Sequence, residues 1–428
     1  MGFLLLGLFI VLMLIGVPIA FVIGIVALLG IFSIPYTPEA TVVMKMVNGL
    51  DSFVLLAVPL FILAANLMNS GKISEKLIDL ALAIVGPIRG GLAHANILVS
   101  MMFAGVSGAA QADAAGVGKI LIPSMLRKGY DKETSVGVTA ASSTIGVIIP
   151  PSIPMIIFAG LTNASISALF LGGIIPGILI GLGMMIIVYI IAVKRNYPKA
   201  ARPDFKKFAK LLIESIPALL TPIIIIGGII SGFFTATEAA AVASLYTFLI
   251  SMFFYKTLKM KDLPKILMDT LALSSLSLFA LACASALGEL MSYYRLGTIA
   301  QEFFSNNVGS EWLFIIIVIA FFLFVGTFMD AIPAMILFVP IILPTAIKFG
   351  VDPVHLGLIV VMTLAIGLAT PPYGLVLLIA GKIGELSIER SFIAVIPYLL
   401  VILVVLFFIA FLPDLAFFIP HWLNPELF

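Results

Sequence analysis

Long apolar runs, separated by short polar turns, extend over nearly the whole chain. Several of them exceed the roughly 20 residues that an α-helix needs to cross a lipid bilayer. We therefore predict an all-α polytopic membrane protein, whose first run, residues 3–30, is a retained span and not a cleaved signal peptide. The apolar runs cover residues 3–30, 51–70, 93–125, 133–162, 167–193, 214–232, 235–255, 266–294, 312–347, 353–381 and 391–412.

Two shorter stretches, 73–85 and 296–304, are amphipathic rather than uniformly apolar. A helix with one apolar and one charged face lies along the interface between lipid and water. Each stretch comes shortly before one of the long apolar runs at 93–125 and 312–347. We expect both to form arm helices that lie along the membrane surface.

Composition and charge agree with this pattern. Of the 428 residues, 62% are hydrophobic and 10% are charged, and the mean hydropathy is +1.26. The formal net charge is only +2, which argues against nucleic acid as a partner. Basic residues cluster at 127–132, 194–210 and 256–265, with two spans between neighbouring clusters. All three clusters therefore lie on one side, which the positive-inside rule makes the cytoplasmic side.

Small and polar residues interrupt the run 93–125 at its centre. Residues 105–113 read GVSGAAQAD, between apolar limbs on both sides. Irregular backbone at membrane depth is tolerated only where it is buried in protein or lines a wet cavity, because unpaired amides in lipid are costly. The stretch therefore predicts a re-entrant hairpin whose tip faces a binding cavity.

An internal repeat relates the two halves of the chain. Sliding the sequence on itself by 221 residues, without a gap, matches nine of the seventeen Gly, Pro and Asp residues between 105 and 176. Chance would give only about one match. The matches place Gly105 on Gly326, Pro123 on Pro344, Gly129 on Gly350, Asp131 on Asp352, Gly146 on Gly367, Pro150-Pro151 on Pro371-Pro372, Gly160 on Gly381, and Pro176 on Pro397.

The charges of matching loops indicate that the second repeat is inverted. The loop at 127–132 carries three basic residues, whereas its mate at 348–353 carries only Lys348. Loops on opposite sides of the membrane differ in this way. The repeat divides the chain into four segments. Residues 1–92 hold the first scaffold helices and arm helix, and residues 93–193 hold the first hairpin, broken helix and following span. Residues 194–311 hold the basic loop, further scaffold helices and the second arm helix, and residues 312–428 hold the second hairpin, broken helix and final span.

Proline pairs predict a broken helix in each repeat. In both repeats a Pro-Pro pair follows a glycine, in SSTIGVIIPPS (142–152) and in MTLAIGLATPPYG (362–374). Because proline lacks an amide donor, it leaves carbonyl oxygens one turn back without their helical hydrogen bonds. Sodium ions bind such oxygens in transporters with inverted repeats. The alternative is that these glycines only permit tight packing and that the hydroxyls bond to their own helices. We predict two Na⁺ sites, one from Gly105, Ser107, Ser142 and Gly146, and one from Gly326, Thr327, Gly367 and Thr370.

Substrate contacts are expected where the repeat loses its symmetry. Ser107 matches Phe328, and Ser152 matches Tyr373. A small asymmetric solute would use the two serines as polar contacts, with Phe328 and Tyr373 as apolar walls. Asp330 lies near the second tip, where an acid inside the membrane suggests function. For Asp113, near the first tip, the same functional role is the alternative, and we favour a helix cap that accepts from exposed amides.

Three stretches resemble the large membrane subunit of tripartite ATP-independent periplasmic (TRAP) transporters. They are FAGVSGAAQADAAGVGKILIPSMLRKGYD (103–131), GTFMDAIPAMILFVPIILP (326–344) and DPVHLGLIVVMTLAIGLATPPYG (352–374). The resemblance implies an importer of organic acids, such as sialic acid or C4-dicarboxylates, driven by two or more co-transported Na⁺ ions. It also implies a bacterial inner membrane location, a periplasmic binding protein, a small membrane subunit of about four helices, and an elevator-type transport domain that moves against a scaffold.

One departure from the family and two rival functions bear on this interpretation. Residues 109–111 read AAQ where such proteins often carry serine, so backbone oxygens are expected to dominate at the first sodium site.

Two rival functions remain open. The nearer rival is a stand-alone Na⁺/dicarboxylate symporter. The other is an intramembrane serine protease with Ser107 in GVSG as nucleophile, which requires a histidine base opposite the serine. Since His94 lies on the same limb as Ser107, we expect a transporter and not an enzyme.

Overall fold

The computed structural model describes residues 2–38, 40–71, 73–202 and 204–423, which form helices and turns without any strand. Seven helical segments are long and apolar enough to cross a membrane: Phe53–Ser70, Ile166–Lys194, Phe205–Ile230, Ala236–Phe254, Met260–Tyr293, Ala331–Lys348 and Ile388–Phe411. The helices in chain order are α1 (Gly2–Leu14), α2 (Ile19–Phe32), α3 (Ala40–Leu50), α4 (Ala57–Ser70), α5 (Ile73–Val85), α6 (Gly91–Ser107), α7 (Ala110–Arg127), α8 (Lys132–Ser143), α9 (Ile153–Thr162), α10 (Ile166–Lys194), α11 (Phe205–Ile230), α12 (Ala236–Leu249), α13 (Leu263–Tyr293), α14 (Leu296–Asn307), α15 (Glu311–Gly326), α16 (Ala331–Lys348), α17 (Pro353–Gly367), α18 (Leu375–Gly384), α19 (Ile388–Phe411) and α20 (Pro413–Leu423).

The first apolar run, predicted as one span, consists of two helices. Helix α1 ends at Leu14 and α2 begins at Ile19. Gly16 between them has a φ of +88°, a left-handed conformation that glycine adopts readily. Pro18 precedes α2 and disfavours helical backbone at the residue before it. The sequence GVP therefore marks a break that a count of apolar residues overlooks.

Two helix–turn–helix hairpins occupy the runs predicted to contain them. In the first, α6 and α7 are joined by Gly108 and Ala109 alone. In the second, α15 and α16 are joined by the four residues 327–330. Gly108 turns the first tip with a φ of +60°. The structure confirms the hairpins as helix pairs, and their depth in the bilayer stays a prediction.

Both predicted broken helices are present. The first consists of α8, a short 3₁₀ turn at Thr144–Val147 and α9, and the second of α17 and α18. Their Pro-Pro pairs lie in the non-helical segments. The matching residues Asp131 and Asp352 cap the first half of each helix, accepting from Thr134 N and Val354 N at 2.7 Å. The repeat thus preserves where each helix starts and where it breaks.

Contacts between the broken helices show that they run in opposite directions. The start of α8 meets the end of α18, where Lys132 Nζ lies 3.4 Å from a carboxylate oxygen of Glu385. Glu133 also pairs with Arg390, just beyond α18. At the other end, a Cβ on Gly357 of α17 would lie 2.7 Å from the ring of Phe158 in α9. The second repeat is therefore inverted, as predicted from the charges of its loops.

The predicted arm helices form, but they differ in burial. Helix α5 covers 73–85, and Lys76 reaches Glu214 of α11 at 2.8 Å. Helix α14 packs on α13 and α16, yet among its described residues none is buried. A separate group of helices consists of α2, α3 and α4, which pack on α13, and of α12, which packs on α4. This group, here called the scaffold, flanks the hairpins and the broken helices.

Candidate functional site

The first hairpin tip contacts the break in the first broken helix. Ile153 N donates to the carbonyl oxygen of Gly108 at 3.3 Å. A Cβ on Gly108 would lie 2.8 Å from the carbonyl oxygen of Pro151, so only glycine fits there. Gly146 faces the same tip more loosely, since its Cβ would be 3.6 Å from the backbone of Ala109. Backbone oxygens of the tip and the break are thus brought together.

The second tip contacts its own break in the same manner, but more tightly. Tyr373 N donates to the carbonyl oxygen of Thr327 at 2.8 Å. A Cβ on Gly367 would lie 2.6 Å from the carbonyl carbon of Gly326. Real Cβ atoms do not approach that closely, so the two glycines permit direct backbone contact. Gly326, Thr327 and Gly367, predicted to share a sodium site, do lie together.

The gapless alignment of the repeats fails at the tips. Gly108 and Thr327 make equivalent bonds, yet they are 219 residues apart rather than 221. The second turn is longer by two residues, and this length difference shifts the entering limb. Gly105 therefore does not occupy the position of Gly326. A Cβ on Gly105 would meet the Pro222 side chain of α11 at 2.7 Å, so Gly105 faces the neighbouring helix rather than Gly146.

The two tips also contact each other. The Gln111 amide, one residue into α7, lies 3.4 and 3.5 Å from the two carboxylate oxygens of Asp330. Asp330 precedes α16 and accepts from the Ala331 backbone N–H at 2.7 Å. A polar bridge therefore joins the opposed hairpins, as expected if they enter from opposite faces and meet.

A cavity of about 810 Å³ lies where the tips face the scaffold. The hairpins and breaks form one wall, and helices α4 and α13 form the other. Its only charged lining residues within the described chain are Glu75, Lys119 and Asp330. Its polar lining comprises Asn66, Asn69, Ser74, Glu75, Ser107, Gln111, Lys119, Ser277, Asp330 and Tyr373.

The cavity extends from the tips toward the side that carries the basic loops. Lys119 lies nine residues along α7 from its start, about 13 Å toward the loop at 127–132. Glu75, at the start of the first arm, also lines the cavity. The positive-inside rule predicts that the basic loops are cytoplasmic, and the opening of the cavity toward the cytoplasm stays a prediction.

The predicted sodium-site hydroxyls bond to their own helices. Thr327 Oγ1 donates to Phe324 O at 2.7 Å, and Thr370 Oγ1 donates to Ile366 O at 2.8 Å. Such bonds use the hydroxyl hydrogen and leave oxygen lone pairs available to a cation. Ser142 lies away from the tip, accepting from Ser100 at 3.1 Å in a buried polar group.

The predicted substrate contacts are divided between the cavity and other places. Ser107 is 1% exposed, lines the cavity, and its hydroxyl has no hydrogen-bond partner among the described residues. Tyr373 also lines it. Ser152 instead caps α9 and donates to Val147 O at 2.5 Å. Phe328 is 44% exposed and packs on Phe324, away from the cavity lining.

Two further observations change the sequence interpretation. Asp113 is not the helix cap that we expected, because both of its carboxylate oxygens are without a hydrogen-bond partner in the described part of the chain. The sequence analysis also placed Gly108 and Gln111 in the predicted tip without assigning a role to either. The second glycine of GVSG was a signal for the turn, whereas the contact of Gln111 depends on the opposed tip and had no local signal.

Comparison with known proteins identifies the family. The family model "Tripartite ATP-independent periplasmic transporter, DctM component" matches residues 6–415. The chain belongs to the DctM family of TRAP transporter permeases. This DctM-family chain is 37% identical to the sialic acid TRAP transporter large permease protein SiaM of Vibrio cholerae, covering 95% of both chains. It is 35% identical to the C4-dicarboxylate TRAP transporter large permease protein DctM of Pseudomonas aeruginosa, over 91% of this chain and 92% of the relative.

The DctM-family fold also resembles a solved structure. The YdaH transporter of Alcanivorax borkumensis aligns with a TM-score of 0.59 at 14% identity, over 90% of this chain and 88% of the other. At that identity, the likeness concerns the fold alone. The relatives are transporter permeases and not enzymes. The geometry agrees, since Ser107 and His94 are thirteen residues apart on one helix, about 20 Å, which leaves Ser107 without the base that a protease needs.

Proposed function

We propose that this permease imports an organic acid anion, such as sialic acid or a C4-dicarboxylate, together with Na⁺ across the bacterial inner membrane. The observation that carries the proposal is the charge of the cavity. Two acids, Glu75 and Asp330, and one base, Lys119, line it. An anion entering this net negative space is repelled unless cations bind with it. Cotransported Na⁺ supplies that charge.

The two tip-and-break contacts are the proposed ion positions. Carbonyl oxygens of Gly108 and Thr327 lie at helix ends beside breaks that free further carbonyls. The first site would use the tip around Ser107 and Gly146, and the second Gly326, Thr327, Gly367 and Thr370. Sodium at either place would order the hairpin against its broken helix. The residues present fit a hard monovalent cation, which prefers neutral and anionic oxygens.

The substrate position is the part of the cavity between the tips. Ser107, Gln111 and Tyr373 offer donors there, and Asp330 suits hydroxyl groups of the cargo. The cavity meets the scaffold on one side only, so hairpins and broken helices would move together as an elevator while α4 and α13 stay fixed. Bound Na⁺ and substrate would then shift the equilibrium toward the conformation that they bind more tightly, and this shift drives the movement.

The family name, tripartite, supports further components for this chain. We infer a small membrane subunit of about four helices, a periplasmic binding protein that delivers the substrate, and membrane lipid around the exposed apolar surface. Relatives named for sialic acid and for C4-dicarboxylates leave the substrate to be identified by measurement.

Uptake into proteoliposomes tests the proposal. Radiolabelled sialic acid and succinate are offered under inward gradients of Na⁺ or K⁺, with and without the binding protein and small subunit. We expect uptake of one acid only with Na⁺ and all components. Uptake by the isolated chain would instead support a stand-alone symporter, and equal uptake with K⁺ would remove the sodium coupling.

A further inference from the structure

A fully buried polar group fills the interior of the first hairpin, one turn away from its tip. Three helices contribute to it, and every member is 0% exposed. Helix α6 supplies two members, α7 one and α8 three. This Asp113 cluster consists of Asn96, Ser100, Asp113, Thr139, Ser142 and Ser143.

The neutral members are bonded to one another and to the backbone of α8. Asn96 Nδ2 donates to Thr139 Oγ1 at 2.6 Å. Ser100 Oγ donates to Ser142 Oγ at 3.1 Å, and Ser142 Oγ donates to Asn96 Oδ1 at 3.3 Å. Ser143 Oγ donates to Thr139 O at 2.7 Å. The group is therefore internally bonded.

Asp113 is left facing oxygen atoms. The hydroxyls of Ser100 and Ser143 lie within interaction distance of its carboxylate. Either hydroxyl can turn its hydrogen to Asp113 only by giving up its bond to Ser142 or to the Thr139 carbonyl. Among the described residues, no ion pair includes Asp113. A buried carboxylate without an opposite charge costs several kcal/mol, so this group is stabilised either by a bound cation or by a proton.

The chemistry of the cluster selects the kind of cation. Hydroxyl, amide and carboxylate oxygens are ligands for hard ions. A divalent ion such as Ca²⁺ commonly takes several carboxylates, whereas this cluster holds one. No group of three or more His, Cys, Asp or Glu side chains occurs anywhere in the described residues. One negative charge among neutral oxygens matches a monovalent ion.

The second repeat lacks this arrangement. At an offset of 221 residues, Asp113 corresponds to Ala334, Thr139 to Val360, and Ser143 to Leu364. Helix α15, the mate of α6, carries no hydroxyl or amide side chain. Simple packing of a hairpin against a broken helix therefore does not need polar residues here. The cluster is an addition made in one repeat only.

We propose that the Asp113 cluster is an additional Na⁺ site, distinct from the two tip-and-break positions. Asp113 supplies the charge, and Ser100 and Ser143 supply neutral oxygens. The proposal rests on the proposed function only for the identity of the ion. Since Asp113 lies one turn below Ala109, an ion here would link the limbs of the hairpin to α8 and stiffen the first tip from within.

Equilibrium binding of ²²Na⁺ to the purified complex, without substrate or transport, tests this site. Choline replaces Na⁺ in the reference buffer. We expect Asp113→Asn to bind one Na⁺ fewer per chain than the natural protein, with the remaining ions bound as tightly as before. The matched control is Thr363→Val in α17, whose buried hydroxyl bonds to Ile359 O at 2.6 Å. It should leave the number unchanged.

Two more variants cover the case in which Asp113→Asn does not fold. Ser100→Ala and Ser143→Ala keep the carboxylate and remove one oxygen each, so each should weaken binding of one Na⁺ by about tenfold. Unchanged Na⁺ number and affinity in the cluster variants would overturn the proposal and favour a proton on Asp113. Absence of Na⁺ binding to the natural protein would instead remove the proposed function itself.

Discussion

The two hairpins share a backbone plan but differ in what fills them. Both place a tip against a proline break, through Gly108 and Ile153 in the first repeat and Thr327 and Tyr373 in the second. The first hairpin is polar inside and its tip has two residues, whereas the second is apolar inside and its tip has four. The two repeats thus share the positions of their helix breaks but differ in their side chains. The same backbone arrangement can therefore have a different role in each repeat.

The hairpin tip approaches the break of its broken helix more closely in the second repeat than in the first. A Cβ on Gly367 would lie 2.6 Å from backbone atoms of Gly326, whereas a Cβ on Gly146 would be 3.6 Å from Ala109. Gly367→Ala should therefore abolish most Na⁺-dependent uptake and destabilise the protein by about 1–3 kcal/mol through overpacking. Proteoliposome uptake and thermal unfolding measure the two effects.

Gly146→Ala is the matched control in the other repeat. Because its new methyl makes only ordinary contacts, it should keep most of the uptake and lie within about 1 kcal/mol of the natural stability. Equal damage in both variants would show that the two contacts are not as different as the distances indicate.

The second comparison concerns the acid at one tip only. Asp330 precedes α16, and the equivalent residue before α7 is Ala109. Asp330→Asn removes charge next to Gln111 and should reduce uptake at least about tenfold, since an interaction with a desolvated charge amounts to about 1.5–3 kcal/mol. Initial rates at varied Na⁺ and substrate concentrations measure the effect.

Glu75→Gln makes the same charge change elsewhere in the lining of the same cavity. Glu75 lies on α5 rather than at either tip, so this variant should alter uptake less than about threefold if position matters more than net charge. A loss as large as that of Asp330→Asn would mean that the overall charge of the cavity, and not the bridge between the tips, controls loading.

Much of this fold was predictable because the repeat marks it with residues that have local backbone effects. Pro150-Pro151, Pro371-Pro372 and the capping residues Asp131 and Asp352 fix helix starts and breaks in any context. The arm helix at 73–85 was predicted with its bounds. The first span was not, because a count of apolar residues overrode the break signal of Gly16 and Pro18.

The site was predictable only in part because its contacts cross between distant segments. Gly326 and Gly367 do lie in contact, as their predicted grouping requires, whereas the sodium site assigned to them stays a prediction. Gly105 was misplaced because the turn lengths differ by two residues, which no local pattern reveals. The bridge from Gln111 to Asp330 and the isolation of Asp113 depend on three-dimensional packing.

The capping aspartates of the broken helices give a smaller, pH-dependent comparison. Asp131 accepts from Thr134 and pairs with Arg195 and Tyr197. Burial raises its pKa, but the Arg195 guanidinium and the Thr134 donors outweigh burial and hold the pKa below its usual value. A lowered pKa stabilises the fold above the unfolded-state pKa near 4, and this contribution is lost as the pH falls through the folded pKa.

Asp131→Asn keeps the cap, because Asn is also a good capping residue, and removes only the charge. It should lower the free energy of unfolding by about 1 kcal/mol at pH 7, and the difference should shrink below about pH 4. Asp352→Asn is the control in the other repeat and should change stability by a few tenths of a kcal/mol. Thermal unfolding measured from about pH 3 to about pH 8 gives both differences. A pH-independent difference would contradict the ion-pair explanation.

The smallest effect is expected at the arms. Lys76 of α5 pairs with Glu214 of α11 at 2.8 Å, and both side chains are about one-third exposed. Such a pair contributes about 0.2–1 kcal/mol, because water screens it. Lys76→Gln should therefore raise amide hydrogen exchange in α5 up to about fivefold and leave exchange in the scaffold unchanged.

The arm of the second repeat provides the control. There, Lys348 Nζ donates to Ser305 Oγ of α14 at 2.9 Å. Since α14 has no buried residue among those described, Lys348→Gln should leave its exchange nearly as fast as before. Equal responses of the two arms would mean that the buried face of α5, rather than its ion pair, holds the first arm in place.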